Sequence, residues 1–272
     1  MTGMAADDAL RSAHSIFNGH FMPALPSPSG RIARRRPRLR QRGAALLLLL
    51  AVVGVGAATV LVSALGGNRN DLARERKTLV QLSEANEALI GFALTHGRLP
   101  RPAVSPTDGR ERALPCDSEP ACTGFLPWVA LGIDGTDAWG KLLRYSVTPA
   151  YTQAPLMVSE VVATKRVLSR NAAGTPYFVA GQAECTLGAQ CVPAVVISSG
   201  RRRLGTSPFG IAIANDGAGN IDEQQNNAAS NDFVRRTASD NPADAGGEFD
   251  DLLVWLPLRR LYLRMTAAGQ LL

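Results

Sequence analysis

A chain of 272 residues, 46% hydrophobic and 19% charged, is large enough to bury a core and too apolar for wholesale disorder. Its net charge of +6 and pI near 9.5 suggest a nucleic-acid partner until the charge is placed along the chain. Eight arginines (Arg11, Arg31, Arg34, Arg35, Arg36, Arg38, Arg40 and Arg42) stand against Asp7 and Asp8 in residues 1–43, and removing them from 29 basic and 23 acidic residues leaves 21 of each. Everything after Gly43 is therefore neutral overall, and no nucleic-acid partner is expected.

From Gly43 to Asn68 no residue is charged, and residues 44–65 read AALLLLLAVVGVGAATVLVSAL. As a helix this run would extend about 33 Å at about 1.5 Å per residue, enough to cross a hydrocarbon core of about 30 Å. Residues 44–66 are thus expected to form the transmembrane half of a helix, in contact with membrane lipid. Gly54 and Gly56, with Ala51, Ala57 and Ala58, give it small surfaces where other helices can approach. The arginines precede the span, so residues 1–43 are expected to stay cytoplasmic and the rest to be exported. A secretory signal cut after Val62-Ser63-Ala64 is the other reading, although its apolar core usually runs only about 7–15 residues. Met1 and Met22 are both open as the start, the second giving a more compact leader.

Residues 67–97 continue as an amphipathic half. Leu79, Leu82, Leu89 and Ala93, with Asn86 filling one turn, repeat at three- and four-residue spacing, while Arg74, Glu75, Arg76, Lys77, Glu84 and Glu87 occupy much of the rest. Gly97 is placed to end the helix, with Pro100 just beyond, and His96 suits the negative end of the helix dipole. Gly66-Gly67 between the halves reads as a flexible joint.

Residues 98–272 read as an exported α+β domain. Leu143, Tyr145 and Val147 alternate with polar residues, the pattern of a half-buried strand. Ala194–Ser198 suits a central strand; Ile211–Ile213 and Leu252–Leu256 are further strands, and Met157–Ala163 and Tyr177–Ala180 weaker ones. After Pro257, Leu258, Leu261, Tyr262 and Met265 trace a short C-terminal helix closed by Gly269. The expected fold is a long N-terminal helix on a mainly antiparallel sheet. The cysteines fall as Cys116/Cys122 and Cys185/Cys191, and in an oxidising compartment two local disulfides are the economical reading. Pairing across the two sets, or a zinc site, is the alternative, though neither pair has CxxC spacing.

Enzyme chemistry finds little support. His96 is the only histidine after Gly43, and it sits beside a helix stop; no phosphate-cradling or dinucleotide glycine motif occurs, and Gly205–Gly210 reads as a turn. No cofactor is expected, with one exception to weigh. Asn215–Glu223 combines oxygen ligands with glycine turns, so Asp216, Asn220 and Asp222 are candidate Ca²⁺ ligands. The alternative is a solvated turn leading into a long mobile loop through Asn241. Trp128, Trp139 and Trp255, set among apolar neighbours, are expected in the core rather than on a binding platform.

Arg40-Gln41-Arg42-Gly43 followed by Ala44-Ala45-Leu46-Leu47-Leu48 resembles the processing junction of type IV prepilins and type II secretion pseudopilins. Gly97-Arg98-Leu99-Pro100, Leu126-Pro127-Trp128, Gly135–Gly140 with Leu143-Arg144-Tyr145, and Phe249–Trp255 are similar to stretches of their periplasmic domains. The resemblance implies a prepilin peptidase that cuts after Gly43 and methylates the new N-terminus at Ala44. It also implies other pilin or pseudopilin subunits as partners through the N-terminal helix, a single pass in a bacterial inner membrane, and some members with bound calcium. The chain departs from the pattern at Leu48, where family members usually carry a glutamate, which implies a minor or accessory subunit. The second reading is a non-assembling, membrane-anchored periplasmic binding protein or enzyme.

Overall fold

The computed structural model describes residues 42–217 and 219–271, in two compact units, Met1–Val55 and Gly56–Leu272. The leader to Gln41, with both candidate start residues, lies outside the described residues, and so do the side chains of Gly43, Ala44 and residues 59–68. α1 (Arg42–His96) is a 55-residue helix, so the cut predicted between Gly43 and Ala44 falls in its first turn. In the first unit, Leu46–Leu50, Val52, Val53 and Val55 are 58–69% exposed. Among the described residues, no helix is long and apolar enough to cross a membrane. The apolar run has described side chains only over 45–58, short of the roughly 20 residues a span needs.

In the second unit the backbone of α1 is helical through Gly66 and Gly67. Gly97 ends it as predicted, with φ +67° and its N–H on Ala93 O at 3.0 Å. The buried stripe is Thr78, Leu82, Ala85, Leu89, Ile90, Phe92 and Ala93, whereas Leu79 is 41% exposed. Thr78 stands inward instead, four residues before Leu82, and its Oγ1 accepts the N–H of Ala138.

Three sheets follow. β1 (Ala103–Ser105) and β2 (Asp108–Glu111) form a hairpin. β3 (Thr123–Phe125) is followed by the single turn α2 (Trp128–Leu131) and by β4 (Arg144–Val147). β5 (Arg166–Arg170) and β6 (Pro176–Ala180) precede β7 (Ala194–Ser198), and α3 (Ile221–Asn227) precedes β8 (Asp232–Val234). β9 (Leu252–Trp255) and α4 (Leu258–Ala267) close the chain. The main sheet, β3-β4-β7-β9, is antiparallel throughout; the second, β6-β5-β8, joins β5 and β8 in parallel. The fold is α+β with mainly antiparallel sheets and a short C-terminal helix.

β7 explains the architecture. All five of its residues are buried, and they alternate between two cores. Ala194 and Val196 join Leu82, Leu89 and Ile90 of α1, Tyr145 and Val147 of β4, and Leu261 and Met265 of α4. Val195 and Ile197 join Val167, Phe233 and Leu253 on the other face. A strand covered on both sides needs no polar alternation, which is why its sequence reads as one apolar run.

Several expectations are corrected. Met157–Ala163 forms no strand; Glu160 N and Val161 N both donate to Met157 O, turning the chain. Ile211–Ile213 lies in a tight hairpin whose ladder is a single Thr206–Ala212 bridge. The stretch expected as a long mobile loop contains α3 and β8. The cysteines pair locally, Cys116 with Cys122 and Cys185 with Cys191, and no free cysteine is left among the described residues.

Candidate functional site

The loop offered for Ca²⁺ lies where α3 meets β5, β8 and the segment before β9, and its three candidate ligands are engaged apart from one another. Asp222 is buried, and its carboxylate accepts from Arg170 Nη2 at 2.6 Å, Arg170 Nε at 2.9 Å and Arg236 Nε at 2.8 Å. Asp216 reaches out to Arg203 Nε at 3.1 Å, 85% exposed. Asn220 is buried, with Nδ2 donating to Asn215 Oδ1 at 2.8 Å and to Glu223 Oε2 at 2.7 Å. The Asp222 carboxylate is thus clamped by two guanidiniums, and each of the three candidates is held by partners of its own.

The acidic groups that do converge are Glu223, Asp250 and Asp251, which bring one carboxylate oxygen each within 4.8 Å of one another. Glu223 Oε1 accepts from Asp250 N at 2.8 Å, Asp250 Oδ2 from Arg202 N at 3.0 Å and Asp251 Oδ2 from Asn226 Nδ2 at 2.8 Å. Burial pushes the Asp251 carboxyl well above the usual carboxylate range, and the nearby Glu223 and Asp250 add to the push. Burial raises Glu223 for the same reason. Lys141 is buried beside them, its Nζ donating to the carbonyls of Ser199 at 3.2 Å, Arg202 at 3.2 Å and Arg203 at 3.0 Å. Burial lowers its pKa although Asp250, Asp137, Asp251 and Glu223 all pull the other way. Asp137 is raised by burial despite accepting from Ser198 Oγ at 2.7 Å and from the N–H groups of Trp139 and Lys141, each at 2.9 Å. The cluster is a buried polar core in which an ammonium and backbone or amide donors answer the carboxylates. The adjacent acids Asp250-Asp251, just before the apolar run Leu252–Trp255, were its one sequence signal; nothing in the spacing points to Lys141.

Two further cavities flank this region. One of about 540 Å³ is lined by Arg170, Asn171, Tyr177, Arg236, Ser239 and Asp244. The other, about 360 Å³, opens between Asp71, Leu72 and Glu75 of α1 and Trp139, Arg201 and Leu252. The tryptophans are half-buried in three separate surroundings rather than gathered on one platform, and Trp255 packs against the core of Val167, Val195, Ile197 and Phe233. Trp128 packs on Gly109 and Gly135, where added Cβ atoms would lie 2.0 and 2.7 Å from its ring; Trp139 lines the second cavity; Trp255 lies under the Arg235 guanidinium at 5.4 Å. His96 stacks on Phe92 at 3.8 Å, with Nδ1 3.0 Å from Phe92 O, at the helix end. Comparisons with family models, with curated proteins and with solved structures found no match to this chain.

Proposed function

We propose that the chain is a pilin-like or pseudopilin-like structural subunit, minor or accessory, of a type II secretion or type IV pilus-type assembly. It is made with a cytoplasmic leader, residues 1–43, which prepilin peptidase removes after Gly43. Ala44 becomes the methylated N-terminus, residues 44–66 anchor the chain in the bacterial inner membrane, and residues 98–272 form the periplasmic domain. The observation that carries the reading is α1 itself. One helix begins at the apolar junction, and its second half lays Leu82, Ala85, Leu89, Ile90 and Ala93 on an antiparallel sheet. Two disulfides suit an exported domain and support the same reading. Leu48 in place of the usual glutamate favours an accessory role over bulk polymerisation.

Mass spectrometry of the protein recovered from membranes tests this. A chain beginning at N-methylated Ala44 is expected. A chain retaining Arg42-Gly43, or one beginning after Ala64, would overturn it in favour of an uncut, non-assembling membrane protein or a secreted one.

A further inference from the structure

Two lysines of the domain are buried, and their amines are answered differently. Lys141 Nζ has a backbone carbonyl for each of its three protons. For Lys165 Nζ the acceptors among the described residues are Glu119 Oε2 and, at 3.2 Å, Asn231 Oδ1. The Lys165 side chain is 0% exposed, so water does not supply a third. Two acceptors suit the neutral amine, which keeps two protons and a free electron pair. Burial drives the Lys165 pKa down toward that form, against the pull of Glu119.

The three side chains come from separate parts of the fold, and each is held in place. Lys165 stands just before β5, bridged to Val192, with its N–H on Val192 O at 3.1 Å. Asn231 stands just before β8, the parallel neighbour of β5. Arg166 and Asp232 are the next pair in register, and Arg166 N donates to Asn231 O at 2.7 Å. The Arg166 guanidinium also holds the Asp232 carboxylate, Nη2 to Oδ2 at 2.8 Å, so the two strand starts are pinned together. Glu119 sits inside the loop closed by Cys116 and Cys122; its Oε1 accepts from Thr164 Oγ1 at 2.6 Å and its carbonyl from Thr123 Oγ1 at 2.9 Å. The amide carbon of Asn231 is one C=O bond from Oδ1, which puts it within about 4.4 Å of Lys165 Nζ. An amine, a fixed carbonyl group and a carboxylate touching the amine are the parts of an acyl transfer.

We propose that Lys165 and Asn231 become joined by an intramolecular isopeptide bond, with Glu119 as the catalytic base and acid. Glu119 takes a proton from Nζ, whose freed electron pair forms the bond to Asn231 Cγ. The Cγ–Nδ2 bond then breaks with its pair on nitrogen, and Glu119 relays to that nitrogen the two protons that Nζ gives up. The nitrogen leaves as ammonium, and Glu119 ends as the carboxylate it began as. No oxidant, reductant or further reactant enters. The Glu119 side chain is 24% exposed, which gives the ammonium a way out to water. The bond staples the parallel pair β5 and β8 across a sequence separation of 66, against 6 for each disulfide, and reductant leaves it intact. It uses residues of the second unit alone and does not depend on the pilin-like reading.

The test is mass spectrometry of the full chain, purified from membranes, then denatured, reduced and alkylated. A mass about 17 Da (one ammonia) below what its sequence and N-terminus require is expected, together with a branched tryptic peptide linking Lys165 to Asn231. Glu119→Gln, a neutral side chain of the same shape, should abolish both the mass loss and the branched peptide, with circular dichroism checking its fold. A parent chain at its full mass, or a loss carried by a linear peptide as a succinimide at Asn231, would overturn the proposal and leave Lys165 and Glu119 as a buried ion pair. A branched peptide undiminished in a folded Glu119→Gln would overturn the catalytic role of Glu119. The parent chain decides the bond by itself, whether or not the variant folds.

Discussion

The two cores on either side of β7 are built from different materials. Toward α1 and α4, leucines, alanines and tyrosines exclude water from one face of the main sheet. Toward β5 and β8 the apolar patch is small, six buried residues, and beyond it Asn220, Asp222, Glu223, Asn226 and Asp251 are buried instead. The first side is held by non-directional burial, which tolerates imperfect fit. The second is held by directional bonds among groups that are costly to bury alone. The contrast predicts that a single deletion on the polar side does the greater harm, because it strands partners that the fold cannot re-solvate.

Asp222→Ala should show the largest effect, about 3–5 kcal/mol by denaturant unfolding, since it leaves Arg170 and Arg236 facing each other without a counter-charge. Truncating both arginines together with Asp222 should recover part of that loss. A cost that stays the same in the triple variant would show that Asp222 acts through packing alone. On the apolar side, Leu89→Ala is expected to cost about 2–5 kcal/mol, set by how far the α1–sheet contact collapses around the hole. If Leu89→Ala proved harmless, the helix would not be seated on the sheet as described.

The same contrast decides what the sequence could reveal. The alternation at Leu143, Tyr145 and Val147, the run at Ala194–Ser198 and the stripe around Leu258–Met265 all announce burial by apolarity, and β4, β7 and α4 stand where that pattern puts them. The polar core carries no such periodicity. Its buried acids and asparagines look like a solvated loop until Arg170 of β5 and Arg236, just past β8, close on Asp222. That is why α3 and β8 read as loop and why the calcium candidates scattered. Leu79 lies off the stripe for a smaller reason: the step back from Leu82 that keeps the helix phase is four residues, to Thr78, not three. Of the candidate sites, the local cysteine pairing was legible from the short spacing within each pair together with the expected export, although pairing across the two sets was open.

The disulfides extend the comparison to smaller effects. Both close loops of the same length, with a sequence separation of 6, so loop entropy stabilises each by about 2 kcal/mol. Cys116 and Cys122 are fully buried in the apolar core, whereas Cys185 is half-exposed. Cys116→Ala with Cys122→Ala should therefore cost more than Cys185→Ala with Cys191→Ala. Under mild reductant, alkylation read by peptide mass spectrometry should appear first at Cys185 and Cys191. Equal costs and simultaneous alkylation would remove the distinction between a core bond and a surface bond.

The gentlest probe is pH, applied to Asp251. Its carboxyl is raised by burial first and by Glu223 and Asp250 next, so the folded chain holds this proton more tightly than the unfolded chain does. The stabilisation from that proton is present in full below the ordinary aspartate pKa of 3.8 and is lost as pH rises through the folded-state value. Asp251→Asn replaces the carboxyl with a neutral group of the same shape whose oxygen can still accept from Asn226 Nδ2. The variant should match the parent in Tm near pH 3.5, where both are neutral at this position, and exceed it increasingly toward neutral pH. Lys141 works against a larger gain, because its ammonium loses one of the four carboxylates that hold it charged. A variant that matched the parent near pH 3.5 but became less stable than it toward neutral pH would mean that Asp251 is valued for its charge. The polar core would then be an ion-paired assembly rather than one that carries its acids in protonated form.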